Sequence, residues 1–167
     1  MHMLLTLDNV AYTAKPDRTE YSRITNRMKA AKPREVDKHE FCKHIAEGKS
    51  FIGGAFDRGL KQLASWQIAA LDFDDGNLSP IEALDRCEQL DIAPMLLYFT
   101  LSSTVEKPRF RLVFDLGQSV HDADVAADVI DTLLHEFPEV DRQCKNPNRI
   151  FLGSNGEVWQ CWQVWCI

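Results

Sequence analysis

Hydrophobic and polar residues alternate along the chain with two periods, and the switches between them mark out a mixed order of strands and helices. The opening MLLTLDNVAYT predicts a strand, and the polar, basic stretch AKPDRTEYSRITNRMKAAKPRE, bounded by Pro16 and Pro33, a loop or short helix. In VDKHEFCKHIAEGKS, Val36, Phe41, Ile45 and Ala46 recur at helical spacing before Gly48, which predicts a capped helix. FIGGAF reads as one short strand, and WQIAALDFDDGN as a buried strand that runs out into carboxylates. In LSPIEALDRCEQLD, Ser79 stands as N-cap, Pro80 at the first helical position and Glu82 three residues after the cap, the signature of a capping box.

APMLLYFT predicts another buried strand. In PRFRLVFDL, Phe110, Leu112 and Phe114 alternate with Arg109, Arg111 and Val113, as in a strand with one polar face. VHDADVAADVIDTLLHEF gathers Val125, Val129, Ile130, Leu133, Leu134 and Phe137 on one side of a helix. NRIFLGS and EVWQCWQVW read as strands on either side of a Ser-Asn-Gly turn. No repeat or linker interrupts the order, so one α+β domain spanning residues 1–167 is expected.

Composition narrows the class. The 167 residues are 45% hydrophobic and 26% charged, as in a globular protein with a proper core, and no run of about 18 apolar residues could span a bilayer. A cytoplasmic location and no membrane partner are expected, since the start carries no secretory pattern. Five cysteines without paired spacings point to reduced thiols. The net charge is -6, yet Lys15 to Lys49 holds ten Lys/Arg against six Asp/Glu, a segment that could meet a polyanion or simply form a solvated face. His39 and His44, five apart on one helix, are poorly placed to share a metal and are expected at the surface.

Asp72 and Asp74 stand two apart at the end of a strand, so their side chains share a face. Like charges so close repel unless a divalent cation neutralises them, and removal of one would then relieve the apo protein. Asp75 points the other way, and an isolated Asp-x-Asp is equally an acidic turn.

The surroundings add weight. FIGGAFDRGLKQLASWQIAALDFDDGNLSPIEAL resembles the first motif of the archaeo-eukaryotic primase superfamily, in the form found in phage, plasmid and transposon primase-polymerases. YFTLSSTVEKPRFRLVFDL is similar to their second-motif strand pair, and VDRQCKNPNRIFLGSNG to their third motif, so the ordered set covers about residues 51 to 156. The resemblance implies a mixed, largely antiparallel sheet with flanking helices and an RNA-recognition-motif-like core. It makes Asp72, Asp74 and Asp141 catalytic carboxylates that hold Mg²⁺ or Mn²⁺. It further implies template-dependent nucleotidyl transfer from nucleoside triphosphates on single-stranded or primed DNA, in the replication of a mobile element. A replicative helicase is a partner of such proteins, and their accessory helical and helicase modules have no counterpart in this chain.

Where many members have Ser-x-His, this chain has no His between Asp57 and Val120. Arg109 and Arg111 occupy the corresponding strand and could grip the triphosphate, with Ser102, Ser103 and Lys107 assisting and Arg149 as a further phosphate contact. The other reading of the pair is the solvent face of an edge strand. Trp159, Trp162 and Trp165 are expected to pack, although aromatics can also stack on bases. Two other functions stay open: a non-catalytic initiator or single-stranded-DNA-binding module of the same fold, and a divalent-metal nuclease.

Overall fold

The computed structural model describes residues 2–163, and Trp165 and Cys166 lie outside them. Twelve principal elements follow in order: β1 (Met3–Ala11), α1 (Arg18–Ala30), β2 (Arg34–Val36), α2 (Lys38–Ala46), β3 (Lys49–Ile52), β4 (Gly54–Asp57), β5 (Gln62–Phe73), α3 (Pro80–Gln89), β6 (Leu96–Thr100), β7 (Phe110–Val120), α4 (Ala123–Glu136) and β8 (Ser154–Gln160). The strands form a three-stranded sheet, β2-β1-β3, and a five-stranded sheet, β4-β5-β7-β6-β8. All pairings are antiparallel, so the α+β class with a largely antiparallel sheet is observed.

From β5 onward the order is strand, helix, strand, strand, helix, strand, and β7 lies between β5 and β6 as in a split β-α-β unit. An RNA-recognition-motif-like unit would seat its last strand beside the first. Here β8 instead pairs with β6 at the far edge, and the free edge of β5 is taken by β4.

FIGGAF is two strands rather than one, because the chain changes sheets at its glycines. β3 pairs with β1 and β4 with β5. A Cβ on Gly53 would lie 1.9 Å from the Ile68 carbonyl oxygen and one on Gly54 2.2 Å from that of Ser65, an approach only glycine allows. The stretch between Pro16 and Pro33 holds a full helix of 13 residues, capped by Asp17, whose carboxylate accepts from the Glu20 N–H at 2.8 Å. Ile24 and Met28, four apart, bury its inner face. The Ser-Asn-Gly segment is not a hairpin turn: β8 runs through it, and the preceding Phe151 forms an isolated bridge to Phe51.

One contiguous core draws Met3, Leu5 and Phe51 of the first sheet together with β5, β6 and β7 of the second, and Ala126, Ile130, Leu134 and Phe137 close it from the α4 side. Val125 is exposed, and Val129 and Leu133 pack only partly against this core. Trp159 packs edge-on against Phe99 at 5.3 Å and Trp162 lies partly buried against the core. Cys42, Cys87, Cys144 and Cys161 are buried free thiols. His39 is exposed, but His44 is buried, its Nε2 2.9 Å from the Ser50 carbonyl oxygen, and burial holds its pKa below the usual histidine value.

Candidate metal and nucleotide site

The site begins in strand register. β5 and β7 align Asp72 opposite Arg111, and β6 and β7 align Tyr98 opposite Arg111, which forms a polar row across three central strands. The neighbouring pair faces the other way: Phe73 and Phe110 stack at 4.7 Å with Phe137 edge-on at 5.9 Å to Phe73. Those rings hold the end of β5 rigid, since aromatic pairs of this geometry add about 0.5–1.5 kcal/mol each beyond burial.

Asp72 is 1% exposed and Arg111 7% exposed. The Asp72 Oδ2 atom accepts from Arg111 Nη2 at 3.1 Å and from Arg149 Nη2 at 3.0 Å. Arg111 Nη1 also donates to the Tyr98 hydroxyl at 3.0 Å and to the Leu152 carbonyl at 2.6 Å, and the Tyr98 hydroxyl donates to the same carbonyl at 2.8 Å. Burial works against the Arg111 charge, but Tyr98 and Asp72 outweigh it and raise its pKa. Burial pushes the Tyr98 phenol up to about 12, so it stays a neutral donor. Phe151 lies beneath both guanidiniums, at 5.6 Å from Arg111 and 5.4 Å from Arg149. β7 is therefore central rather than an edge, and Arg111 is an interior partner of Asp72 and not part of a solvent face.

Asp141 reaches the same point from a segment 69 residues further along, after α4. Its backbone N–H donates to the Asp72 carbonyl at 3.0 Å, which docks the short 3₁₀ turn Arg142–Lys145 on the end of β5. Asp141 Oδ1 accepts from the Gln143 N–H at 3.0 Å, and Oδ2 accepts from Arg149 Nη2 at 3.0 Å. Burial opposes ionisation, yet the Gln143 N–H and the Arg149 guanidinium together hold the Asp141 pKa below the usual carboxylate value. Asp74, just past β5 and exposed as a residue, moves the other way: partial desolvation of its carboxyl, then the charge of Asp72, raise its pKa against the pull of Arg111, Arg109 and Lys15.

Asp72, Asp74 and Asp141 each offer a ligand oxygen, and these atoms lie within 4.8 Å of one another. Arg111 Nε approaches Asp72 Oδ1 at 3.0 Å as an ion-pair contact without hydrogen-bond alignment, so this buried oxygen has no hydrogen-bond partner among the described residues. An orphaned buried carboxylate oxygen beside two further carboxylates suits a small hard cation. Three negative charges against the two of Arg111 and Arg149 leave an excess that a divalent ion would offset.

Of the remaining sequence candidates, Arg109 and Lys107 lie toward Asp74 and its loop. Arg109 is half-buried; its N–H donates to Ser103 Oγ at 3.0 Å, and its Nε is buried without a hydrogen-bond partner among the described residues. The Lys107 stem lies alongside Gly76, whose φ of +80° turns the acidic loop, with its nearest carbon 3.6 Å from where a Cβ would stand. Ser102 Oγ sits 3.4 Å from Thr100 Oγ1, away from the carboxylates' hydrogen bonds. Asp75 is used up in the turn, accepting from Asn77 N at 2.9 Å and Asn77 Nδ2 at 2.8 Å. Tyr98 and Phe151 escaped the sequence reading because apolar strands show no sign of which aromatic will sit under a guanidinium. A larger cavity of about 580 Å³, lined by Lys38, Met95 and Trp162 among others, includes none of the three carboxylates.

No protein-family model matches the chain, and no curated protein does. Among solved structures, the chain is similar to the primase-polymerase (PrimPol) AEP domain of cyanophage S-2L. The two are 13% identical over 96% of this chain and 80% of that one, with a TM-score of 0.48.

Proposed function

We propose that this protein is a metal-dependent nucleotidyltransferase of the primase-polymerase kind, one catalytic domain that makes or extends primers on a single-stranded template from nucleoside triphosphates. The observation that carries the reading is the convergence of Asp72, Asp74 and Asp141, from two separate segments, on one point where a buried Asp72 oxygen lacks a partner. The order of the three sequence motifs supports it independently.

Asp72, Asp74 and Asp141 hold Mg²⁺ or Mn²⁺, which supplies charge neutralisation and alignment for attack of a primer 3′-oxygen on the nucleotide. Arg111 fixes the rotamer of Asp72 from below, and Tyr98 and the Leu152 carbonyl fix Arg111. Arg109 and Lys107, on the Asp74 side, meet the triphosphate. Arg109 brings a planar fork and Lys107 a mobile point charge. Ser103 sets the start of β7 through the Arg109 N–H. Arg149, already between Asp72 and Asp141, is the phosphate contact nearest the carboxylates.

A second reading, a template-binding module without catalysis, draws on the missing Ser-x-His and on the two guanidiniums that already engage Asp72. Calorimetric titration with Mn²⁺ and then with a nucleoside triphosphate separates the two. The catalytic reading predicts saturable binding of both, with nucleotide binding strengthened by the metal. Binding of neither would leave the template-binding reading.

A further inference from the structure

Beyond the carboxylates, Arg149 also lines a cleft of about 410 Å³ on its other side. Three elements wall this cleft: α1, the loop joining β4 to β5, and the segment from Gln143 to Ile150. Its cations are Lys29, Lys61 and Arg149, its planar and amide groups include Tyr21, Gln143 and Asn146, and no acidic side chain lines it among the described residues. Arg149 is already paired with Asp72 and Asp141, so in a chain of net charge -6 it is Lys29 and Lys61, with no carboxylate lining the cleft among the described residues, that reverse the local sign.

The walls are built to stay in place. Arg58, Gly59 and Leu60 carry φ values of 51°, 64° and 72°, three successive left-handed residues of which only one is glycine. Such a backbone persists where its surroundings hold it. Here Leu60 is buried with Ile24, Met28 and Ile52, and Asn148 Nδ2 donates to the Leu60 carbonyl at 2.9 Å. α1 is also fastened by Arg27, whose Nε and Nη2 donate to buried Asp8 at 2.8 and 2.7 Å and whose Nη2 also meets the Tyr12 hydroxyl at 3.0 Å. Tyr21, 41% exposed, lines the cleft.

Resting on the primase-polymerase reading, we propose that this cleft is the seat of the single-stranded template: Lys29 and Lys61 contact successive phosphates, and Tyr21 with Asn146 and Gln143 meets the bases. The triphosphate rim, Arg109 and Lys107, flanks Asp74, whereas the cleft opens from Arg149 and the Asp141 side. One strand and one nucleotide can thus approach the carboxylates from different directions. Separated cations interleaved with an exposed aromatic ring and amides suit a sugar–phosphate strand with stackable bases better than a compact triphosphate, which needs its donors converging on one point.

The test is binding of a fluorescently labelled oligothymidylate, followed by anisotropy in EDTA so that no metal-bound nucleotide contributes, for the parent and for Lys29→Ala/Lys61→Ala. Both lysines are exposed, so the fold is not at stake, and a melting curve checks it. Each lost phosphate contact should remove about 0.7 from the slope of log K against log salt, so the double variant loses about 1.4 and binds roughly tenfold more weakly near 0.15 M salt. Tyr21→Ala should weaken binding roughly fivefold or more with the slope unchanged. Arg34→Ala/Lys43→Ala, the same charge change on exposed residues that do not line the cleft, should bind nearly as the parent does.

The proposal is overturned if the parent does not bind the oligonucleotide, if Lys29→Ala/Lys61→Ala keeps the parent's affinity and slope, or if the control pair loses as much. It is also overturned if the cleft variants lose triphosphate affinity while strand binding stays. Failure of the catalytic reading would look different: no uptake of Mn²⁺ by the parent, with cleft-dependent strand binding retained.

Discussion

Asp72→Ala takes the negative charge away from a guanidinium that has nowhere else to put its own. Arg149 keeps Asp141 at 3.0 Å. Arg111 does not: at 7% exposure, its remaining partners are the neutral Tyr98 hydroxyl and the Leu152 carbonyl. Removing one partner of a buried pair costs about 3–5 kcal/mol, and for a chain of this size each kcal/mol moves the melting temperature by about 2–4 °C. Asp72→Ala should therefore melt roughly 6–20 °C below the parent. Asp74 is exposed as a residue, and partial desolvation followed by the charge of Asp72 disfavours its ionised form, so Asp74→Ala should shift the melting temperature by no more than about 2 °C. This corrects the view from sequence that removing either carboxylate simply relieves repulsion, because that view lacked the two arginines. Thermal melts by circular dichroism in EDTA read both variants on the same day. If Asp72→Ala melts with the parent, or Asp74→Ala falls as far as Asp72→Ala, then Asp72 is not the charge that holds Arg111 in the interior.

Arg109→Lys keeps the charge but loses the planar fork, so triphosphate binding measured by calorimetry should weaken roughly tenfold or more with stability unchanged; affinity equal to the parent's would move the phosphate site elsewhere. Arg111→Lys should lower the melting temperature first, since a Lys in that interior position cannot reach Asp72, Tyr98 and the Leu152 carbonyl together. Arg86 grips Glu139 at 2.7 and 2.9 Å and holds its pKa below the ordinary glutamate value. A lowered acid stabilises above its unfolded pKa of about 4.3 and loses that as pH falls through the folded value, so Glu139→Gln should melt below the parent at pH 7 and the gap should close as pH falls below the folded pKa. A gap that persists at low pH would show that packing, not the ion pair, is responsible.

The elements whose information is local could be read from sequence. α3 announces itself by the Ser79 and Glu82 capping box, which the structure shows with Glu82 N to Ser79 Oγ at 3.2 Å and Ser79 N to Glu82 Oε2 at 2.8 Å. β5 is a run of apolar residues long enough to be buried on both faces. What depends on pairing could not be read: the register that sets Asp72 opposite Arg111 exists only once β7 is placed between β5 and β6. The alternation around Arg109 and Arg111 suggested one shared polar face, but a central strand buries both faces, and only the half-buried Arg109 at the strand's entrance keeps access to solvent. α1 was obscured because its single buried stripe, Ile24 and Met28, is short for its 13 residues and covers a small second core rather than the main one. His44 carries no local mark of burial, because the Ser50 carbonyl that receives it lies on the next strand.

Whether the three carboxylates run nucleotide transfer is decided by extension of a labelled primer on a single-stranded template with Mn²⁺ and nucleoside triphosphates, with Asp74→Ala beside the parent. Asp74→Ala is the variant expected to keep the parent's melting temperature, so its effect reports on chemistry. The parent should extend the primer and Asp74→Ala should not, at the same melting temperature. A parent that never extends the primer, or an Asp74→Ala protein that extends it as well as the parent does, would show that these carboxylates do not carry nucleotide transfer.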